Sequence, residues 1–239
     1  MIGYRIKPRI KNDDKNKDII GVHVFDSKFN PIWHREKHMP HTEAVMNNLA
    51  YGVSNKGTAY ILTYLNDTQS YTVLALTEKG ELKEQKLDID GSKIVQKFEI
   101  REDNEDNLVF AGFYANGIDV SVNWTANASW SFNTNGIFYF KMDNSGEVVD
   151  FRDFPFSIDF INQYQTKRQK KKSNKREADD KAGIADLKMI EFDVMDDGSA
   201  IFVGEQRYVR NEMYGTSTKT VFHYYHMIMA KMDKNGELK

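Results

Sequence analysis

The chain has 239 residues, 40% hydrophobic and 13% aromatic, which suffices for one all-β domain or two small ones with a substantial core. Its net charge of −2 leaves no overall field that would steer it to nucleic acid or to an anionic membrane. With 0 Cys, disulfides, thiolate metal sites and Cys nucleophiles are excluded, although the compartment is not fixed.

Taken in order, residues 1–10 read as a strand interrupted by Pro8, and 11–17 as a polar turn. The start, Met1-Ile2-Gly3-Tyr4-Arg5-Ile6-Lys7, has no apolar core of signal-peptide length. No window approaches the roughly 20 apolar residues of a membrane-spanning helix. Residues 18–25 form a strand, and 32–35 begin its hairpin partner. Strands then follow at 45–53, 58–65, 71–76 and 82–88, a four-stranded set rich in β-branched and aromatic residues. A second set is expected at 94–100, 108–114, 136–142 and 148–154, and a third at 187–194, 200–208 and 224–232.

One turn pattern organises these sets. Lys141-Met142-Asp143-Asn144-Ser145-Gly146-Glu147-Val148 recurs as Lys231-Met232-Asp233-Lys234-Asn235-Gly236-Glu237-Leu238. A weaker copy lies at Thr77–Gly80. A degenerate one, without Gly, lies at Asp26–Asn30. In each, an apolar strand ends, an Asp or Thr side chain caps the turn, and a Gly or Asn takes the position needing φ > 0. With insertions removed, the unit is about 50 residues of four short antiparallel strands, the pattern of a β-propeller or partial propeller. The expected division is a part-blade at 1–44, blades at 45–93 and 94–160, a basic insertion at 161–186, and an incomplete blade at 187–239. Because the pattern breaks off just as a strand begins after Gly236, the chain reads as a piece of a longer protein. Export to the periplasm or cell surface is then favoured, and open edge strands suggest self-association.

These Asp-x-x-Gly turns, together with Ile201-Phe202-Val203-Gly204-Glu205-Gln206-Arg207-Tyr208 and His223-Tyr224-Tyr225-His226, resemble uncharacterised Bacteroidetes-type bacterial β-propeller repeat proteins. The resemblance is structural, and it carries no catalytic residue onto this chain.

Three long segments interrupt the blades: 115–135, 157–186 and 209–223. By strand count all three leave one face, the usual layout when one face binds something. The first holds Trp124 and Trp130 among Ser and Asn, a composition suited to recognition, unless it is simply an extended hairpin. The third holds Tyr214 and ends at His223. These four residues are the candidate partner-binding set. The middle segment carries seven basic residues in Lys167–Arg176, followed by Glu177, Asp179 and Asp180, and reads as a flexible solvated loop.

Catalytic and metal motifs are absent. Of the cluster His34, His38 and His41, the first two would form an i, i+4 metal pair only on a helix, and Pro40 is expected to interrupt that stretch. Asp88-Ile89-Asp90-Gly91 and residues 193–198 lack the spacing of a calcium loop. No P-loop, GxGxxG or GxSxG is present. The expectation is a non-enzymatic binding or scaffold protein with a protein or glycan partner. No cofactor, metal or nucleic acid is implied. A propeller-type polysaccharide hydrolase or lyase, using channel groups such as Asn47, Glu99 and Glu191, and a purely structural segment are the competing readings.

Overall fold

A computed structural model describes residues 1–6, 17–87, 89, 93–117, 119–123, 126–131, 133–143, 145–214 and 217–239. The protein is all-β, with 63% strand and 8% helix, and consists of several antiparallel sheets. Two compact units divide the chain. The first comprises Met1–Gly91, Ile100–Val109 and Lys141–Asp150. The second comprises Ser92–Glu99, Phe110–Phe140 and Phe151–Lys239.

In the first unit, β1 (Ile2–Ile6), β2 (Lys17–Phe25) and β3 (Pro31–Thr42) form one sheet. A four-stranded meander follows: β4 (Met46–Val53), β5 (Ala59–Leu65), β6 (Ser70–Leu76) and β7 (Leu82–Lys86). The inner strands β5 and β6 read as near-continuous apolar runs because both of their faces are covered. The outer strand β7, Leu-Lys-Glu-Gln-Lys, is exposed, and its lysines blunt an edge that would otherwise invite pairing. Ile20, Val22, Val24, Trp33, Met39 and Met46 pack with Ile61, Leu74 and Leu76 in one buried cluster, and Trp33 Nε1 donates to Gly57 O at 2.9 Å.

β3 departs from expectation. It runs through Pro40 instead of stopping there. Proline lacks only the N–H, and β3 lies at the end of the sheet order, where a missing donor costs no ladder bond; a register shift between Lys17 and Ile19 falls opposite. The histidines are consequently on a strand, not a helix: His34 stacks on His23 at 4.7 Å, and His41 Nε2 lies 2.9 Å from Glu84 Oε1. Among the described residues, no group of three or more His, Cys, Asp or Glu is placed to hold a metal. Asp88, Asp90 and Gly91 lie outside the described residues.

A second four-stranded sheet has β8 (Lys93–Glu102), β9 (Leu108–Asn116), β13 (Gly136–Met142) and β14 (Val148–Pro155) in the order β14-β13-β9-β8. Between β9 and β13 come β10 (Asp119–Asn123), β11 (Ala126–Ser131) and β12 (Asn133–Thr134). After β14 come α1 (Ile158–Asn162), α2 (Lys167–Glu177) and β15 (Ile184–Ala185). A three-stranded sheet, β16 (Leu187–Val194), β17 (Ala200–Tyr214) and β18 (Ser217–Met232), closes the chain. The second unit is filled by aromatic pairs: Phe110 stacks on Phe140 at 4.4 Å, Tyr114 tilts against Phe138 at 4.6 Å, and Phe192 stacks on Phe202 at 5.3 Å.

Residues 209–214 and 217–223 are strand, not the expected loop. β17 and β18 continue as a 15- and a 16-residue strand, paired from Ala200↔Met232 to Tyr214↔Ser217. The composition of β18 just after Ser217 explains this: Thr218, Thr220, Val221 and Phe222 are β-branched or aromatic and sustain the ladder. Nor is the basic stretch a flexible loop, since Lys167–Glu177 is helical. The Thr166 side chain accepts from the Gln169 backbone N–H, and the Gln169 side chain accepts in turn from the Thr166 backbone N–H at 2.9 Å, which completes a capping box.

The hairpin turns share one geometry. At Asp143, the Gly146 N–H donates to Asp143 O at 3.0 Å and Asp143 N–H to Glu147 O at 2.9 Å. Asp143 Oδ1 then accepts from the N–H groups of Ser145 and Glu147 at 2.8 and 3.0 Å. The same backbone bonds recur at Asp26, Ser54, Thr77, Asp103, Met195 and Asp233. The fourth residue always has positive φ; it is Phe29 and Asp106 in two copies and Gly in the others. A type I turn closed by a left-handed residue is one of the short connections that match the twist of paired strands.

Candidate functional site

The second unit contains a cavity of about 620 Å³, within the usual range for ligand pockets. It is built where the interruptions of the strand pattern meet. β12 pairs with β15, joining Asn133 to Ala185 and Thr134 to Ile184. Thr134 Oγ1 donates to Leu187 O at 3.1 Å, and Asn116 Nδ2 to Asp180 O at 2.8 Å. The segment carrying α1 and α2 thus lies against β12 on one side. On the other it meets the lower part of the β17–β18 hairpin.

There the ladder shifts by one residue: Glu205 pairs with Met227, whereas Arg207 pairs with Tyr224. Two residues, Tyr225 and His226, therefore face the single Gln206. Such a bulge re-aims side chains and is often found beside functional sites. The side chains of Tyr225 and His226 both line the cavity. His226 Nδ1 lies 3.0 Å from Gln206 Oε1, and Gln206 Nε2 donates to Ala185 O at 2.9 Å. The hydroxyls of Tyr208 and Tyr225 share a hydrogen bond of 2.6 Å.

The rings form a row along the hairpin. Tyr164 stacks on His226 at 5.3 Å, Tyr225 on Tyr208 at 5.4 Å, and Tyr208 on His223 at 4.6 Å. α2 contributes Gln169, Lys172, Ser173 and Arg176 to the same lining. Ser173 is buried and donates to Gln165 Oε1 at 2.8 Å, holding α2 to the preceding linker. Asn162 Nδ2 donates to Asn174 Oδ1 at 2.6 Å and joins the two helices. Asp186, also in the lining, has a carboxyl pushed up by burial, with Lys188 pulling it back only in part.

The sequence candidates are placed as follows. His223 stacks on Tyr208, a cavity residue; its Nε2 is buried without a hydrogen bond, 3.7 Å from Glu212 Oε1. Tyr214 is the last residue of β17, paired with Ser217, beyond the cavity end of the hairpin. Trp130 lies on β11, paired with Val120, and Trp124 is outside the described residues. Sequence reasoning misses Tyr164, Tyr208, Tyr225, His226 and Gln206 as a group. Their signal is the pair of motifs Gln206-Arg207-Tyr208 and Tyr225-His226, but a one-residue bulge leaves no mark in a period-2 pattern.

No protein-family model matches the chain, and neither a curated protein nor a solved structure matches it.

Proposed function

We propose that this chain is a non-enzymatic binding module on a β-propeller-type scaffold, and that its partner is a glycan received by the cavity beside the β17–β18 bulge. The scaffold reading rests on the succession of antiparallel meanders, β4–β7, then β8, β9, β13 and β14, then β16–β18, linked by one recurrent turn.

The observation that carries the binding reading is that Tyr and His rings share one cavity lining with several Gln side chains. A sugar presents an apolar C–H face and a rim of hydroxyls. Aromatic rings, with negative faces and polar tips, suit the former, and Gln, Ser and Tyr hydroxyl groups suit the latter. Gln165 and Gln169 engage their side-chain oxygens within the protein, which leaves their amide N–H₂ groups to donate to a ligand.

Replacing Tyr164 or Tyr225 by Ala tests this. Both are more than half exposed, so the fold should tolerate the loss. The affinity for any oligosaccharide found by array screening should fall about tenfold or more, with Tm unchanged. Unchanged affinity in both variants would defeat the reading. Release of new reducing ends or unsaturated products from a polysaccharide would favour the hydrolase or lyase instead.

A further inference from the structure

The electrostatics of α2 narrow the ligand class. Its sequence, Lys-Arg-Gln-Lys-Lys-Lys-Ser-Asn-Lys-Arg-Glu, contains no apolar residue, so it cannot be held by burying a hydrophobic stripe. Its first turn has two cations and no acid, against the preference of a helix N-terminus for negative charge. Lys167 and Lys171, Arg168 and Lys172, and Lys171 and Lys175 are like charges at i, i+4, which repel. Folding alone does not explain so many unfavourable choices in a chain whose net charge is −2. They concentrate positive charge on one wall of the cavity. Lys172 and Arg176 both line it, four residues apart on one helix face and about 6 Å apart along the axis, on the scale of one pyranose ring.

We infer that the cavity takes an anionic glycan, one bearing uronate carboxylates or sulfates, with Lys172 and Arg176 of α2 pairing its charges while the Tyr164–His226 and Tyr208–Tyr225 rings contact its sugar faces. This rests on the glycan-binding reading above and adds the charge of the ligand. A single-stranded nucleic acid is the competing anion, since it too offers negative charge and flat faces, and the test below includes it. Among the described residues of the lining Asp186 is the one acid, and burial raises its carboxyl above the ordinary carboxylate value, with Lys188 lowering it in part.

The test uses the full chain and titration calorimetry with four probes of equal length: an oligogalacturonate, a sulfated galactan fragment that bears no carboxylate, a neutral maltooligosaccharide and an oligothymidylate. One or both acidic probes should bind, more weakly as salt rises, and the neutral one at least about tenfold more weakly. The acidic probe preferred tells carboxylate from sulfate. Lys172→Gln with Arg176→Gln should reduce acidic binding at least about tenfold. Lys167→Gln with Lys170→Gln makes the same change in charge away from the cavity and should leave most of it. Hydrogen exchange of residues 167–177 should slow on binding, which also reports that the variants remain folded. Equal binding of the neutral and acidic probes would overturn the anionic assignment and leave the glycan reading standing. Equal losses in the two double variants, or tighter binding of oligothymidylate, would overturn it as well. Binding of none of the glycans would remove both.

Discussion

At the residue scale the recurrent turn separates what a position needs from what the sequence supplies. The fourth residue must adopt the left-handed region, where Gly is at ease and a side chain is not. Gly57, Gly80, Gly146, Gly198 and Gly236 meet that need with φ between 79° and 87°. At Asp26 the position is filled by Phe29, with φ 64° and 85% of its surface exposed, so the ring gains nothing by burial. The turn survives because Asp26 compensates: its Oδ1 accepts from both Lys28 and Asn30 N–H at 2.8 Å, and its Oδ2 from Asn30 Nδ2 at 2.8 Å. In the sequence this copy is degenerate, since it lacks Gly. The hydrogen bonds show that an Asp at the first position can sustain the turn where Gly is missing. Phe29→Gly should therefore stabilise the protein by about 1 kcal/mol, the usual cost of a left-handed non-glycine residue, less the chain entropy that Gly adds. A rise in Tm on thermal unfolding would show it; a fall would mean that Phe29 makes contacts in its favour.

At the element scale, strands with period-2 alternation or continuous apolar runs are legible almost to the residue. β13 and β16 have the expected bounds, and β4, β5, β6 and β9 differ from theirs by one or two residues. What is not legible has physical reasons. Hairpin extension depends on pairing partners that a local reading does not see, so the upper halves of β17 and β18 read as a loop. A helix without an apolar stripe gives no 3.6-residue signal, and α2 is hidden behind its charge. Its only mark is Thr166 followed three residues later by Gln169. That box should carry much of the helix. Thr166→Ala removes the side-chain acceptor and costs about 1 kcal/mol locally. Repulsion within a basic helix, about 0.2–0.5 kcal/mol for each like-charged i, i+4 pair, leaves little margin to absorb the loss. Hydrogen exchange across residues 167–177 should accelerate in the variant, while β5 and β6, in the other unit, keep their protection. Unchanged exchange in the helix would show that the Ser173–Gln165 and Asn162–Asn174 bonds suffice without the cap.

At the scale of the whole molecule the repeated turns couple stability to pH. Hydrogen bonds from the turn's own N–H groups and side chains hold the carboxyls of Asp26, Asp143, Asp197 and Asp233 below the ordinary value of 3.8. Asp103 ends lower as well: burial pushes it up, but Lys141 Nζ at 2.7 Å, Asn107 and the Glu105 N–H outweigh that. A carboxyl depressed in the folded state contributes stability that is fully present above its unfolded value and is lost as pH falls through the folded one. Two groups work the other way. Burial raises Glu102 above 4.5 and Asp186 above 3.8, so their protonation relieves a cost as pH falls. Tm should accordingly vary little from pH 7 to about 5 and then fall below 3.8, where five depressed groups outnumber two raised ones. The triple variant Asp26→Asn, Asp143→Asn and Asp233→Asn isolates the cause. It should melt below the wild type at pH 7, fall less steeply in acid, and converge with the wild type at the pH that lies below the depressed folded-state values, where the native carboxylates are protonated too. Melting curves that stay parallel down to that pH would place the acid sensitivity outside the turns, in which case the ion pair of Asp103 with Lys141 becomes the next group to test.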